Sequence, residues 1–109
     1  MKLYLAGPMR GFPGFNFPAF HAAARRLRAE GHEVFNPAEK GAEKDASGAQ
    51  SSLEFRRLVF GLDTAWICSE AEGIVMLPRW VESRGAFAEW SLANALGLPI
   101  RYLEPEFVQ

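Results

Sequence analysis

Apolar residues in this chain fall into short continuous runs, separated by segments with helical spacing, and that alternation predicts its architecture. Leu3-Tyr4-Leu5-Ala6 is an apolar run ended by Gly7-Pro8, and it predicts a buried strand. A loop rich in Gly and Pro follows over 11–16. Asn16 is then placed to cap a helix that tolerates Pro18 in its first turn. Phe20, Ala23, Ala24 and Leu27 share one face of that helix, and Gly31 is its stop signal. Val34-Phe35 makes a short second strand, closed by Asn36-Pro37. Ser51 or Ser52 opens a second helix, with an apolar stripe expected along Phe55, Leu58, Val59, Leu62 and Trp66. Residues 73–77 predict a third strand, a third helix begins at Ser83 and ends near Gly97, and 99–103 predict a fourth strand.

The order is βαβαβαβ. Strands that are apolar throughout, alternating with amphipathic helices, predict a parallel sheet covered on both faces. Right-handed crossovers favour the strand order 2-1-3-4, a small flavodoxin- or Rossmann-like three-layer α/β domain. The winding reverses between strands one and three, and ligands of such sheets bind beyond the strand ends at that reversal. Residues 7–16 and 78–83 are expected there.

The 109 residues suit a single domain spanning 1–109, with a mobile loop expected near 41–52, which is polar and rich in Gly, Ala and Ser. Twelve basic and 13 acidic side chains leave a formal charge of -1, which argues against a nucleic-acid polymer or a membrane as partner. A free nucleotide needs only local donors and stays possible. Cys68 is the single cysteine, so neither an internal disulfide nor a thiolate metal cluster is expected. It reads as a small buried hydrophobe. His21 and His32 lack metal-ligand spacing, so no metal site is expected. With no leader or membrane-spanning run, the expected location is the cytoplasm.

Chemistry is concentrated in the third helix. At about 100° per residue, Ala86, Trp90, Ala93, Leu96 and Gly97 share one arc, and Glu89 lies inside it. A carboxylate taken out of water costs several kcal/mol unless it is compensated, so Glu89 is a structural ion pair, sits where the helix end curves away from the core, or is a functional group. Ser83-Arg84-Gly85 opens the helix, where free N–H groups and the helix dipole suit a phosphate. Ser83 can equally be a simple cap, and Arg84 a solvated charge. Gly7-Pro8 lacks the dinucleotide fingerprint, so no dinucleotide cofactor is expected, although the turn could bring the Met9 amide to a ligand. Phe12 and Phe15 could stack on a planar base, or close the core or an oligomer interface. Trp80 could wall a pocket. Asp63 follows Leu62 in the half of its helix where the dipole disfavours an anion.

Taken in order, Leu3 to Pro8, Asp63 and Ser83-Arg84-Gly85-Ala86-Phe87-Ala88-Glu89 resemble the nucleoside 2-deoxyribosyltransferase and nucleotide N-glycosidase superfamily. They are most similar to its DUF4406-type branch, common in phages and bacteria, which the chain resembles nearly end to end. That resemblance includes Asn16-Phe17-Pro18-Ala19-Phe20 and Leu77-Pro78-x-Trp80. It implies that Glu89 attacks or supports the anomeric carbon of a nucleoside. By the same resemblance Ser83 binds the 5′-phosphate, with Arg84 and Gly85 beside it, and Asp63 holds or protonates the leaving base. Gly7, Pro8, Met9, Phe15 and Trp80 are the further substrate-binding candidates. The resemblance also implies a homo-oligomer, a dimer or higher, whose sites a neighbouring subunit completes. Glu72 stands where an Asp is frequent in the superfamily. Hydrolysis or transfer at an N-glycosidic bond is therefore the expected activity, with no cofactor. A non-catalytic nucleotide-binding or sensing module on the same fold is the alternative, and a purely structural oligomer a third.

Overall fold

Strand β1 (Lys2–Ala6) lies between two parallel neighbours in a four-stranded sheet of order 2-1-3-4. β2 (Glu33–Phe35) pairs with it in the register Leu3 to Val34, and β3 (Gly73–Met76) in the register Tyr4 to Ile74. β4 (Ile100–Tyr102) adds to β3 as the far edge. The expected strand order is the one observed. The structure is a computed structural model that describes residues 1–39 and 52–109. Apart from Ser52, the loop expected at 41–52 falls outside the described residues.

Side chains of a strand alternate between faces, and here the alternation divides the core in two. Leu3, Leu5, Val75 and Leu77 point to one face, where α1 (Phe17–Ala29) presents Phe20, Ala23, Ala24 and Leu27. Burying a side chain such as Phe20 or Leu27 contributes about 1.5–3 kcal/mol each. A short 3-10 turn, Pro105–Val108, completes this layer by packing Phe107 and Val108 against it. Tyr4, Ala6, Ile74 and Met76 point to the opposite face, towards Ile67 of α2 (Leu53–Ser69) and Ala86 and Ala93 of α3 (Arg84–Leu96).

Caps and stops are largely as the residues predict. Ser52 accepts a hydrogen bond from the Phe55 amide, and Gly31 and Gly97 take positive φ of 98° and 76° just beyond their helices. Asn16 precedes α1, but its side chain does not cap the helix. Its φ is 60°, and its Nδ2 donates to the Pro8 carbonyl, fastening the β1–α1 loop to itself.

Two expectations about α2 are corrected. The stripe through Leu58 and Leu62 does not face the core: these residues are 50% and 48% exposed. The buried positions are Asp63 and Ile67, with Phe55, Val59 and Trp66 half-buried beside them. The inward arc is therefore shifted by about half a residue step, ~50°, from the one that its apolar spacing predicts. Apolar residues occupy more than one arc of α2, so periodicity alone could not choose which arc meets the sheet. Cys68, expected to be buried, is exposed: it lies ~100° or more around the helix from Asp63 and Ile67. Leu96, expected on the inner arc of α3, is also exposed, at the last residue of the helix.

Candidate functional site

Three elements bring one polar side chain each to the same buried point. Tyr4 comes from the middle of β1, Asp63 from α2 and Glu89 from α3. Tyr4 is fully buried, Glu89 is 6% exposed and Asp63 8%. The Tyr4 hydroxyl donates to Glu89 Oε2 at 2.6 Å, and Asp63 lies close enough to the same hydroxyl to act on it by charge and hydrogen bonding. Sequence spacing could not anticipate this junction, because 85 residues separate Tyr4 from Glu89.

The electrostatics follow from the surroundings. Burial raises the Glu89 carboxyl to about 8; the Tyr4 hydrogen bond pulls it down and the Asp63 charge pushes it up, both more weakly. The Tyr4 hydroxyl is held well above its ordinary value by burial first, then by the two carboxylates. Among the described residues Glu89 has no ion pair, since the salt bridges present join other, exposed side chains. The structural ion pair that its sequence position allowed is not found among the described residues. A carboxyl held in this way stores a proton at neutral pH and can give it up or hydrogen-bond a ligand hydroxyl.

Behind the cluster stands an aromatic wall. Phe35 stacks on Tyr4 at 5.4 Å, and Trp66 closes on Phe35 at 5.0 Å. At the start of α3, Ser83 Oγ accepts from the Ala86 amide at 3.2 Å, so the serine caps its helix. Gly85 is exposed, and a Cβ built there would meet only Ser83 Oγ and Phe60 Cε1, at 3.9 and 4.0 Å. Arg84 is exposed as well. Trp80 joins a second aromatic group, stacked on Trp90 at 5.4 Å and Phe87 at 5.9 Å, while Trp90 Nε1 donates to the Tyr102 hydroxyl.

The sequence-predicted residues therefore separate into groups. Glu89 and Asp63 converge, and Tyr4 is the member that sequence reasoning missed. The signal available was a lone hydroxyl in an otherwise apolar strand, which burial obliges to find a partner. Gly7 serves the packing of the sheet. A Cβ there would sit 2.7 Å from Leu77 Cβ, so only glycine lets the ends of β1 and β3 approach this closely. Pro8 is buried, and Met9 packs against the α1 core. Phe15 leans on Phe17 at 5.9 Å beside α1. Glu72 lies at the opposite end of the sheet, where its Oε1 accepts from the Lys2 amide.

A family model described as Domain of unknown function (DUF4406) matches residues 1–102, which include every strand and long helix of the fold. The chain belongs to the DUF4406 family. No curated protein and no solved structure matches it. The match takes in Tyr4, Asp63 and Glu89, so the whole buried cluster lies within the DUF4406 domain. No helix among the described residues is long and apolar enough to cross a membrane. Nor do they contain a group of three or more His, Cys, Asp or Glu able to hold a metal ion.

Proposed function

We propose that this DUF4406 protein hydrolyses or transfers at the N-glycosidic bond of a (deoxy)nucleoside 5′-monophosphate. The observation that carries this reading is Glu89, a buried carboxyl with no cation paired to it among the described residues, held by Tyr4 and flanked by Asp63. When the C1′–N bond breaks, its electron pair leaves with the base, which takes up a proton. Water or an acceptor base then bonds C1′ and gives up a proton. Positive charge develops on the sugar, and a carboxylate in a dry site stabilises it far more than one in water. Glu89 is the nucleophile or charge stabiliser, and Asp63 handles the base. Ser83, Arg84 and Gly85 take the phosphate at the start of α3, using its free N–H groups. Gly7, Pro8, Met9, Phe15 and Trp80 line or brace the surrounding crevice. The reaction needs no cofactor, and its setting is the cytoplasm.

A homo-oligomer belongs to the same proposal. Leu53 and Phe60 leave one exposed apolar strip on α2, and Leu58 and Leu62 leave another on the other side of the helix. Phe60 lies beside Gly85 and one turn before Asp63, so a second copy on the first strip would border the site.

A non-catalytic nucleotide-binding module is the second reading, favoured by one observation. With its carboxyl raised to about 8, Glu89 is mostly neutral at pH 7, a form that hydrogen-bonds a ribose hydroxyl but does not attack carbon. Incubation with a panel of nucleoside 5′-monophosphates, followed by chromatography for free base, separates the two. Catalysis predicts base release that Glu89→Ala lowers about 10²–10⁴-fold. Thermal stabilisation by a nucleotide without any base released supports the binding module and rejects the enzyme.

A further inference from the structure

Two carboxyls meet one hydroxyl in the buried junction. Tyr4 Oη donates to Glu89 Oε2 at 2.6 Å, and Asp63 hydrogen-bonds the same hydroxyl. A phenol carries one hydrogen, and in a bond this short it serves one acceptor. An ionised carboxylate only accepts. While Tyr4 donates to Glu89, its bond with Asp63 therefore forms only if Asp63 is protonated and donates to the phenol oxygen. With the hydroxyl turned to Asp63, the mirror arrangement holds and the proton sits on Glu89. The same oxygen atoms serve both arrangements, and each contains one carboxylic acid and one carboxylate.

Charge leads to the same count. Two carboxylates on either side of one hydroxyl, in a water-poor site, repel each other enough to keep one proton between them. The described side chains around the pair are uncharged: Phe35 stacks on Tyr4 at 5.4 Å, Trp66 lies 6.4 Å from it, and Ile67 and Ala86 pack alongside. Among the described residues, Tyr4 and Asp63 are the titratable groups that act on Glu89, and Glu89 and Asp63 those that act on Tyr4. Burial raises the Glu89 carboxyl to about 8, which makes it the resting place of the proton at pH 7.

We propose that Tyr4 is a proton relay: the three side chains share one proton, and the hydroxyl passes it to Asp63 as Glu89 becomes the carboxylate. In that transfer the Glu89 O–H bond breaks as a new Tyr4 O–H bond forms, and the former Tyr4 O–H bond breaks as an Asp63 O–H bond forms. The charge of the trio does not change. The use of the relay rests on the reading in which Asp63 handles the leaving base. One shift then charges Glu89 towards the sugar and arms Asp63 as the acid that protonates the base.

Carbon-13 NMR of the full chain, with Asp and Glu carboxyls labelled, tests the shared proton without any substrate. Glu89→Gln and Asp63→Asn assign the two signals. At pH 7 one of the pair should be protonated and the other ionised, and Asp63→Asn should lower the Glu89 titration by about one pH unit. Two ionised carboxyls at pH 7, or a Glu89 titration that ignores Asp63→Asn, overturns the relay. Base release separates a relay from mere support of Glu89. Tyr4→Phe and Asp63→Asn should each slow release from ordinary nucleotides about 10²–10⁴-fold, and the double variant should be no slower than the worse of the two. A 7-methylguanine nucleotide expels its base without a proton, so with it both variants should recover as pH rises and Glu89 ionises by itself. Recovery of Asp63→Asn alone overturns the relay. A wild type that releases no base from any nucleotide rejects the glycosidase reading and not the shared proton, which the NMR signals decide by themselves.

Discussion

The two faces of the sheet are built on opposite principles. Towards α1 the layer is apolar: Leu3, Leu5, Val75 and Leu77 meet Phe20, Ala23, Ala24 and Leu27. Towards α2 and α3 the same sheet buries a hydroxyl and two carboxyls among Ile67, Ala86 and Ala93, and leaves Leu58 and Leu62 in solvent. Apolar burial contributes stability at every pH, whereas buried acids cost stability whenever they must ionise. One face is therefore apolar throughout, and the other adds to its apolar core a buried polar group whose position chemistry can use.

The largest break in this contrast should come from the α1 face. Phe20→Ala removes a fully buried ring and should lower unfolding free energy by about 3–5 kcal/mol at any pH, read from urea titrations. A similar loss confined to alkaline pH would show that the α1 face is not the pH-insensitive layer described.

On the other face the effect should depend on pH, with a definite sign. Glu89 has its carboxyl raised from 4.5 to about 8 on folding. Between those values the native state binds a proton that the unfolded chain releases, so stability falls as pH rises from about 4.5 to about 8, and then levels off. Glu89→Gln keeps an acceptor for Tyr4 and removes the charge. Its gain over wild type should be near zero below pH 4.5 and grow to on the order of a few kcal/mol above pH 8. Parallel stability curves for the two proteins would refute the raised pKa of this carboxyl.

The smallest effect on folding should come from the outer arc of α2. Leu62→Ser should change the stability of the monomer by less than about 0.5 kcal/mol, because the side chain is half in water. Sedimentation should nevertheless show weaker self-association if a second copy covers this helix.

Much of the architecture was legible in the residues. The continuous apolar strands, Gly31 and Gly97 as stops and Ser52 as a cap are local signals, and each settles a local geometry. The strand order followed from crossover handedness, which few topologies satisfy. Half of the site was legible as well: Glu89 stood out because helical phase placed a carboxylate among Ala86, Trp90 and Ala93. Helical phase relates only residues on the same helix. It could not show that Tyr4 was the hydrogen-bond partner, nor that Asp63 lay inward and Leu62 outward.

Those choices were made by packing. Which arc of α2 meets the sheet depends on the shapes of Tyr4 and Phe35 beneath it, on which the helix's own Trp66 packs, three rings from distant segments. The sequence by itself determined the elements, their order and the suspect glutamate, because hydrophobic periodicity and turn chemistry act over a few residues. Only the tertiary structure decided the company that glutamate keeps, because burial and hydrogen bonding act between residues the chain holds far apart.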